Sequence, residues 1–290
     1  MSVENFIPTI WNTEILKQYE ANLVFRDLVN RDYEGDIASQ GDTVKINSIG
    51  PIAVSSYTKN STTLSYELLQ DSSQVLVIDQ AKYFAFKVDD VDRVQANVDL
   101  RSAATYEAGL AIAQDINTNL AGRYVDAATA NKLGSDGSPK TLGYTSGNDD
   151  PYKTFVNMGV ILDDANVSAE GRWAVIPPWL DGMLRKSSAF VSNPAGVTGA
   201  SMVNGLIGTI AGFSVYKTTQ LTKNGGGTVW RAMFGHRSAI SLAVQKTANA
   251  EALRLEGSFG DAIRGLTLYG SKTVRPDGLA VLYASKGGDA

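Results

Sequence analysis

The sequence predicts a mixed α+β fold, and three observations carry that expectation. Side chains alternate in period two through "GDTVKIN" and "SQVLVIDQAKYFAFKV". From Asp89 onward apolar residues recur at spacings of three, four or seven. The closing stretch "LRLEGSFGDAIRGLTLYGSKTVRPDGLAVLYAS" returns to strong alternation. A strand sends successive side chains to opposite faces while a helix repeats about every 3.6 residues, so each change of period marks a change of element.

Taken in order, residues 1–38 form an arm with a short helix, since Ile15, Tyr19 and Leu23 are spaced by four on one helical face. A strand follows a Gly-Asp turn at Gly41–Asn47, with Val44 and Ile46 on one side and Lys45 and Asn47 on the other. In the next strand Lys82, Phe84, Phe86 and Val88 share a face. Between the two, Gly50–Ser73 is rich in Ser, Thr and Tyr and poor in large aliphatics until Leu68 and Leu69. It reads as a long hairpin projecting from the body. An isolated two-stranded ribbon is only marginally stable in water, so this one is either a mobile excursion or rests on a surface that another chain supplies.

Val91, Val94, Val98, Thr105, Ile112, Ile116 and Leu120 then define one long helix, expected from Asp90 to about Ala130, with Gly109 and Gly122 as points where it can bend or break. At 1.5 Å per residue it would reach on the order of 60 Å, the dimension of a spine rather than of an ordinary helix. Asp89, Asp90 and Asp92 suit its start, where carboxylates satisfy free N–H groups and complement the helix dipole. A turn-rich linker, Lys132–Pro151, leads to a mixed region. Asp149 and Asp150 start a helix over Tyr152–Asn166 that Asp163 and Asp164 end, "RWAVIPP" is a strand, "WLDGMLRKSSAF" a helix and "GTIAGFSVYKTT" a turn plus strand. "TVWRAMFGHRSAISLAV" reads as a strand followed by a short helix, and the tail as two or three strands packing back on the spine.

Composition excludes several function classes. A chain of 290 residues with 43% apolar content can bury a sizeable core in one or two intimately connected domains. With no cysteine, disulfides, thiolate chemistry and cysteine-built zinc sites are excluded. His236 is the sole histidine, so a multi-histidine metal site is excluded too, and without a Gly-x-Ser-x-Gly elbow it reads as a turn residue. The Ser-x-x-Lys matches at Ser56 and Ser214 lack supporting motifs, and "GLIGTIAG" and "KNGGGT" lack the spacing that cradles phosphates. A net charge of −4 gives no cationic field for tight nucleic-acid binding. The start "MSVENFIPTIWN" does not read as an export signal, and no apolar run approaches the roughly 20 residues that span a bilayer, so no membrane role is expected. No catalytic, metal or cofactor site is expected.

"NRDYEGDIASQGDTVKI", "FAFKVDDVDRVQANVDL", "GRWAVIPPWLDGML", "GTIAGFSVYKTTQL" and "RGLTLYGSKTVRPDGLAVL", in this succession, cover nearly the whole chain. Together they resemble the major capsid (coat) proteins of tailed bacteriophages, with the Hong-Kong-97-type fold. The resemblance implies an N-arm (1–38), an E-loop hairpin with its flanking strands (39–80), a P-domain spine helix (81–132), an A-domain (133–245) and P-domain C-terminal strands (246–290). In that fold the E-loop lies over a neighbouring subunit, which makes Ser55, Tyr57, Thr58, Lys59, Asn60, Thr62, Tyr66 and Glu67 the expected interface. Lys59 and Asn60 are read as ordinary exposed turn residues rather than as cross-link partners.

The implied function is a non-enzymatic shell subunit, forming hexamers and pentamers of a procapsid and then a mature head around double-stranded DNA. No long leader precedes the arm, so a separate scaffolding protein is expected, together with a portal, a decoration protein and non-specific contact with packaged DNA. Assembly would take place in the bacterial host cytoplasm. Two alternatives are an encapsulin-like nanocompartment shell of the same fold and a small-molecule enzyme using acidic residues such as Asp89 and Asp92.

Overall fold

In the computed structural model the described residues are 23–33, 43–49, 54, 56, 58–59, 71–89, 100–186, 206–246, 251–255, 257 and 260–288. The projecting hairpin is real at its root. Strands β1 (Thr43–Ile49) and β2 (Asp71–Val77) pair antiparallel from Thr43↔Val77 to Ile49↔Asp71. Two residues on, β3 (Gln80–Asp89) runs antiparallel along β12 (Gly260–Thr273), from Gln80↔Tyr269 to Asp89↔Gly260. The other side of β12 takes β11 (Glu251–Arg254) and β10 (Ile240–Lys246), completing a four-stranded antiparallel sheet.

The long helix, α2, is described over Leu100–Gly122, 23 residues that run unbroken through Gly109. It stops earlier than the expected Ala130. A 3₁₀ turn, Arg123–Asp126, takes over. There the Arg123 Nε donates to the Ser271 hydroxyl at 3.0 Å and the Thr273 hydroxyl donates to the Asp126 carboxylate at 3.0 Å. These bonds to β12 replace the next helical turn, so tertiary contact ends the helix where apolar period alone continued it.

A seven-stranded mixed sheet forms the rest of the body. It is made of β4 (Lys132–Leu133), β5 (Lys140–Leu142), β6 (Arg172–Ile176), β7 (Leu206–Ile210), β8 (Phe213–Lys217), β9 (Val229–His236) and β13 (Leu279–Lys286). Its order is β4 and β5 beside β13, then β9, β6, β8 and β7. Both faces are covered. Ala174, Ile176, Ala232, Phe234, Ala280 and Leu282 face a core with α3 (Pro151–Asp164) and α4 (Pro178–Lys186). The alternate residues Trp173, Val175, Met233, Leu279 and Val281 face a second core that holds Ile116 and Leu120 of α2 and Phe25 and Leu28 of the short α1 (Phe25–Leu28). A strand buried on both faces reads as a continuous apolar run, and all five residues of β6 are buried.

One expectation is corrected. The segment after His236 is not a helix: β9 and β10 are both strands, joined by a turn in which the His236 Nδ1 lies 2.8 Å from the Ser238 hydroxyl. The sheets run across residue 245. β10 belongs with β12, while β13 packs back on the spine as expected, its Leu279 and Val281 sharing a core with Ile116 and Leu120, and also pairs with β9 inside the seven-stranded sheet. Helix α3 starts where expected, with the Asp150 carboxylate accepting from the N–H groups of Tyr152 and Lys153.

Candidate assembly surfaces

The hairpin root has little to hold it by burial. Its cluster consists of buried Ile46, Leu76 and Ala243, edged by Tyr33, Val44, Ile78 and Val274. Polar tethers supplement it: Lys272 Nζ donates to the Val75 carbonyl at 2.9 Å and Gln74 Nε2 to the Val274 carbonyl at 3.1 Å. Beyond the root, Val54 is 98% exposed, and Ser56, Thr58 and Lys59 are exposed as well. Of the expected interface, Ser55, Tyr57, Asn60, Thr62, Tyr66 and Glu67 lie outside the described residues.

Asp89 is the last residue of β3, paired with Gly260, and the described part of α2 begins eleven residues later at Leu100. Its backbone thus belongs to a strand, and Asp90 and Asp92 lie outside the described residues. Among the described residues no group of three or more His, Cys, Asp and Glu side chains could hold a metal ion.

The two faces of the four-stranded sheet differ in kind. On the inner face Phe84 and Phe86 stack at 6.2 Å, Lys82 Nζ lies 3.2 Å from Asp115 of α2, and the Tyr269 hydroxyl donates to the other Asp115 oxygen at 2.7 Å. Burial, then the Asp115 contact, pushes the Tyr269 hydroxyl well above the ordinary tyrosine range. The outer face carries Tyr83, 77% exposed, directly opposite Leu266 at 37%, with Leu253 at 43% opposite Ala262. Ala81 and Ala85 flank Tyr83 and are exposed too. The same face also carries the exposed Lys87, Glu251 and Arg264, the last two paired at 3.4 Å, so its apolar part is a patch at Tyr83, Leu266 and Leu253 set in an otherwise charged surface. Sequence reasoning followed the Phe84 and Phe86 face and missed this one. The available signal was Ala81, Tyr83 and Ala85, which reach no charge until Lys87.

"GRWAVIPPWL" is structural. Arg172, only 5% exposed, donates to the carbonyls of Ser168 at 2.9 Å, Gly159 at 3.4 Å and Val167, and pairs with Asp163 at 2.6 Å, closing the C-terminal end of α3. Trp173 meets Phe25 edge to face at 6.1 Å. Pro178 opens α4, as its fixed φ and missing N–H favour. Among the described residues no helix is long and apolar enough to cross a membrane.

A family model described as phage capsid protein matches residues 73–282. No curated protein matches the sequence. Among solved structures, a chain from Mycobacterium phage Che8 is 31% identical, with a TM-score of 0.73 over 97% of this chain and 98% of that one. A chain from the capsid of the cyanophage P-SCSP1u is 18% identical, with a TM-score of 0.74 over 99% of this chain and 95% of that one. A virus-like particle from Pyrococcus furiosus shares the fold at 13% identity and a TM-score of 0.52, over 84% of this chain and 86% of that one.

Proposed function

The chain belongs to the phage capsid protein family and is a major capsid protein of an icosahedral shell, and from that premise we propose that its copies are joined through the β1–β2 hairpin and the apolar patch at Tyr83 and Leu266 on the outer face of the four-stranded sheet. The carrying observation is a mismatch: Val54 stands 98% exposed on the excursion between β1 and β2, while the hairpin root buries only a small cluster of its own. The exposed Val54 and the apolar patch at Tyr83 and Leu266, bordered by Lys87, Arg264 and Glu251, are both left for a neighbouring copy to cover. Each such contact need be only modest, because a closed symmetric shell multiplies it many times.

On this reading Thr58 and Lys59 lie at the subunit interface, with Ser55, Tyr57, Asn60, Thr62, Tyr66 and Glu67 in the same segment. Subunits group into pentamers and hexamers in the host cytoplasm around a separate scaffolding protein, with a portal at one vertex and a decoration protein as a further partner. The net charge of −4 supports a wall that packaged DNA touches without sticking. No reaction is assigned to Asp89 or Asp92. Deleting residues 52–70 tests the proposal. The shortened subunit should fold, as judged by an unchanged cooperative melt, yet yield no stable shells; normal particles would overturn the assignment.

A further inference from the structure

We infer that Lys272 and Gln74 are positioning residues that set the direction in which the β1–β2 hairpin leaves the body. The inference rests on the reading of that hairpin as the contact between copies. Buried apolar contact is non-directional, so a cluster as small as Ile46, Leu76 and Ala243 resists separation of the root from the body but does little to fix its tilt. Direction requires bonds that weaken on rotation, and among the described residues the root shows two of them, running in opposite senses. Lys272 of β12 reaches out to the carbonyl of Val75, and Gln74 of β2 reaches back to the carbonyl of Val274. The first is charge-assisted and so the stronger.

The surroundings of the root make the tilt one-sided. Along β12 there is no slack: a Cβ added at Gly270 would come within 2.2 Å of the Val77 carbonyl oxygen. On another side lies a cavity of about 300 Å³, bounded by Asn30, Tyr33, Ile46, Gln74, Ser238 and Arg275. A root pressed against backbone on one flank and facing open space on another can swing only toward the space. Gln74 and Val274 both line that cavity, so their bond spans it and, with Lys272 on Val75, fixes the separation of root and body there, which holds the hairpin at one angle to the sheet.

The test uses the natural absence of cysteine. Spin labels at Ser56→Cys, exposed beyond the root, and Asn157→Cys, exposed on α3, report the hairpin-to-body distance in dispersed subunits by pulsed electron resonance. The parent should give a narrow distribution. Lys272→Met with Gln74→Met, which keep side-chain length without a donor, should lose that peak to a broad one at an unchanged melting temperature. Lys272→Arg should keep it. Should the double variant fold poorly, Gln74→Met alone should broaden the peak in part. An undisturbed narrow peak in a folded double variant overturns the inference. That outcome is separate from the deletion of 52–70, since a hairpin can be needed for shells without being aimed by these side chains.

Discussion

The backbone N–H of Phe25 donates to the side-chain oxygen of Asn117, 3.0 Å away and 92 residues on. The same buried amide donates its own N–H to Gln220 at 2.6 Å. One side chain near the C-terminal end of α2 thus joins α1, the spine and the segment after β8, and beside it the ring of Phe25 stands at 89° to that of Trp173. The residues around Phe25 are core, whatever the arm before them does. Asn117→Leu strands the Phe25 N–H in an apolar site and should cost about 1–3 kcal/mol, read as a lower urea midpoint at unchanged slope.

Arg172→Met should cost a similar amount for a different reason. Asp163 is 64% exposed and stays solvated without its partner, so the ion pair itself contributes little. Of the three carbonyls that lose this donor, Ser168 is exposed and Val167 half-buried, so the loss sits mainly at the buried Gly159 carbonyl and in the packing of the Arg172 stem, and about 1–3 kcal/mol is expected in a thermal or urea melt.

Ala211→Gly should stabilise the subunit. The β7–β8 turn has positive φ at both central residues, 48° at Ala211 and 83° at Gly212, the signature of a type I′ hairpin. A left-handed alanine costs on the order of 1 kcal/mol, and glycine removes that cost. A raised melting temperature checks it.

Tyr269 sets an alkaline limit. Its hydroxyl must keep its proton to donate to Asp115, and the folded value is raised above the ordinary 10.0. A group raised on folding contributes stability that is complete below the unfolded value and is lost as pH climbs through the folded one. Melting temperature should therefore fall above pH about 10, and Tyr269→Phe should make that limb shallower. Tyr216 and Tyr283, also raised mainly by burial, leave a residual slope of the same sign.

Where the sequence was legible, one physical signal dominated. Alternation at Val44 and Ile46 and the Asp150 cap ahead of Pro151 reported their elements directly, because half-buried strands and capped helices write their environment into the residue pattern. The packing of the tail on the spine was legible, but the sheet that β13 joins was not, because "LAVLYAS" is buried on both faces and such a run says nothing of which neighbour it pairs with. "SAISLAV" misled for the same reason, its apolar spacing fitting a short helix as readily as β10. Of the candidate surfaces, the hairpin was visible as a stretch too polar to support itself. The Tyr83 and Leu266 patch was legible only in its β3 half, as Ala81, Tyr83 and Ala85, since Leu266 joins it only once β3 and β12 are in register.

The most direct measurement is an electron microscopy map of particles formed by the full chain, at a resolution that traces each hairpin. The expected map is a closed icosahedral shell in which residues 54–59 of one copy lie on the sheet face around Tyr83 and Leu266 of the next, both withdrawn from solvent. Shells in which each hairpin folds back on its own subunit, or stands in solvent while Tyr83 remains bare, would contradict it.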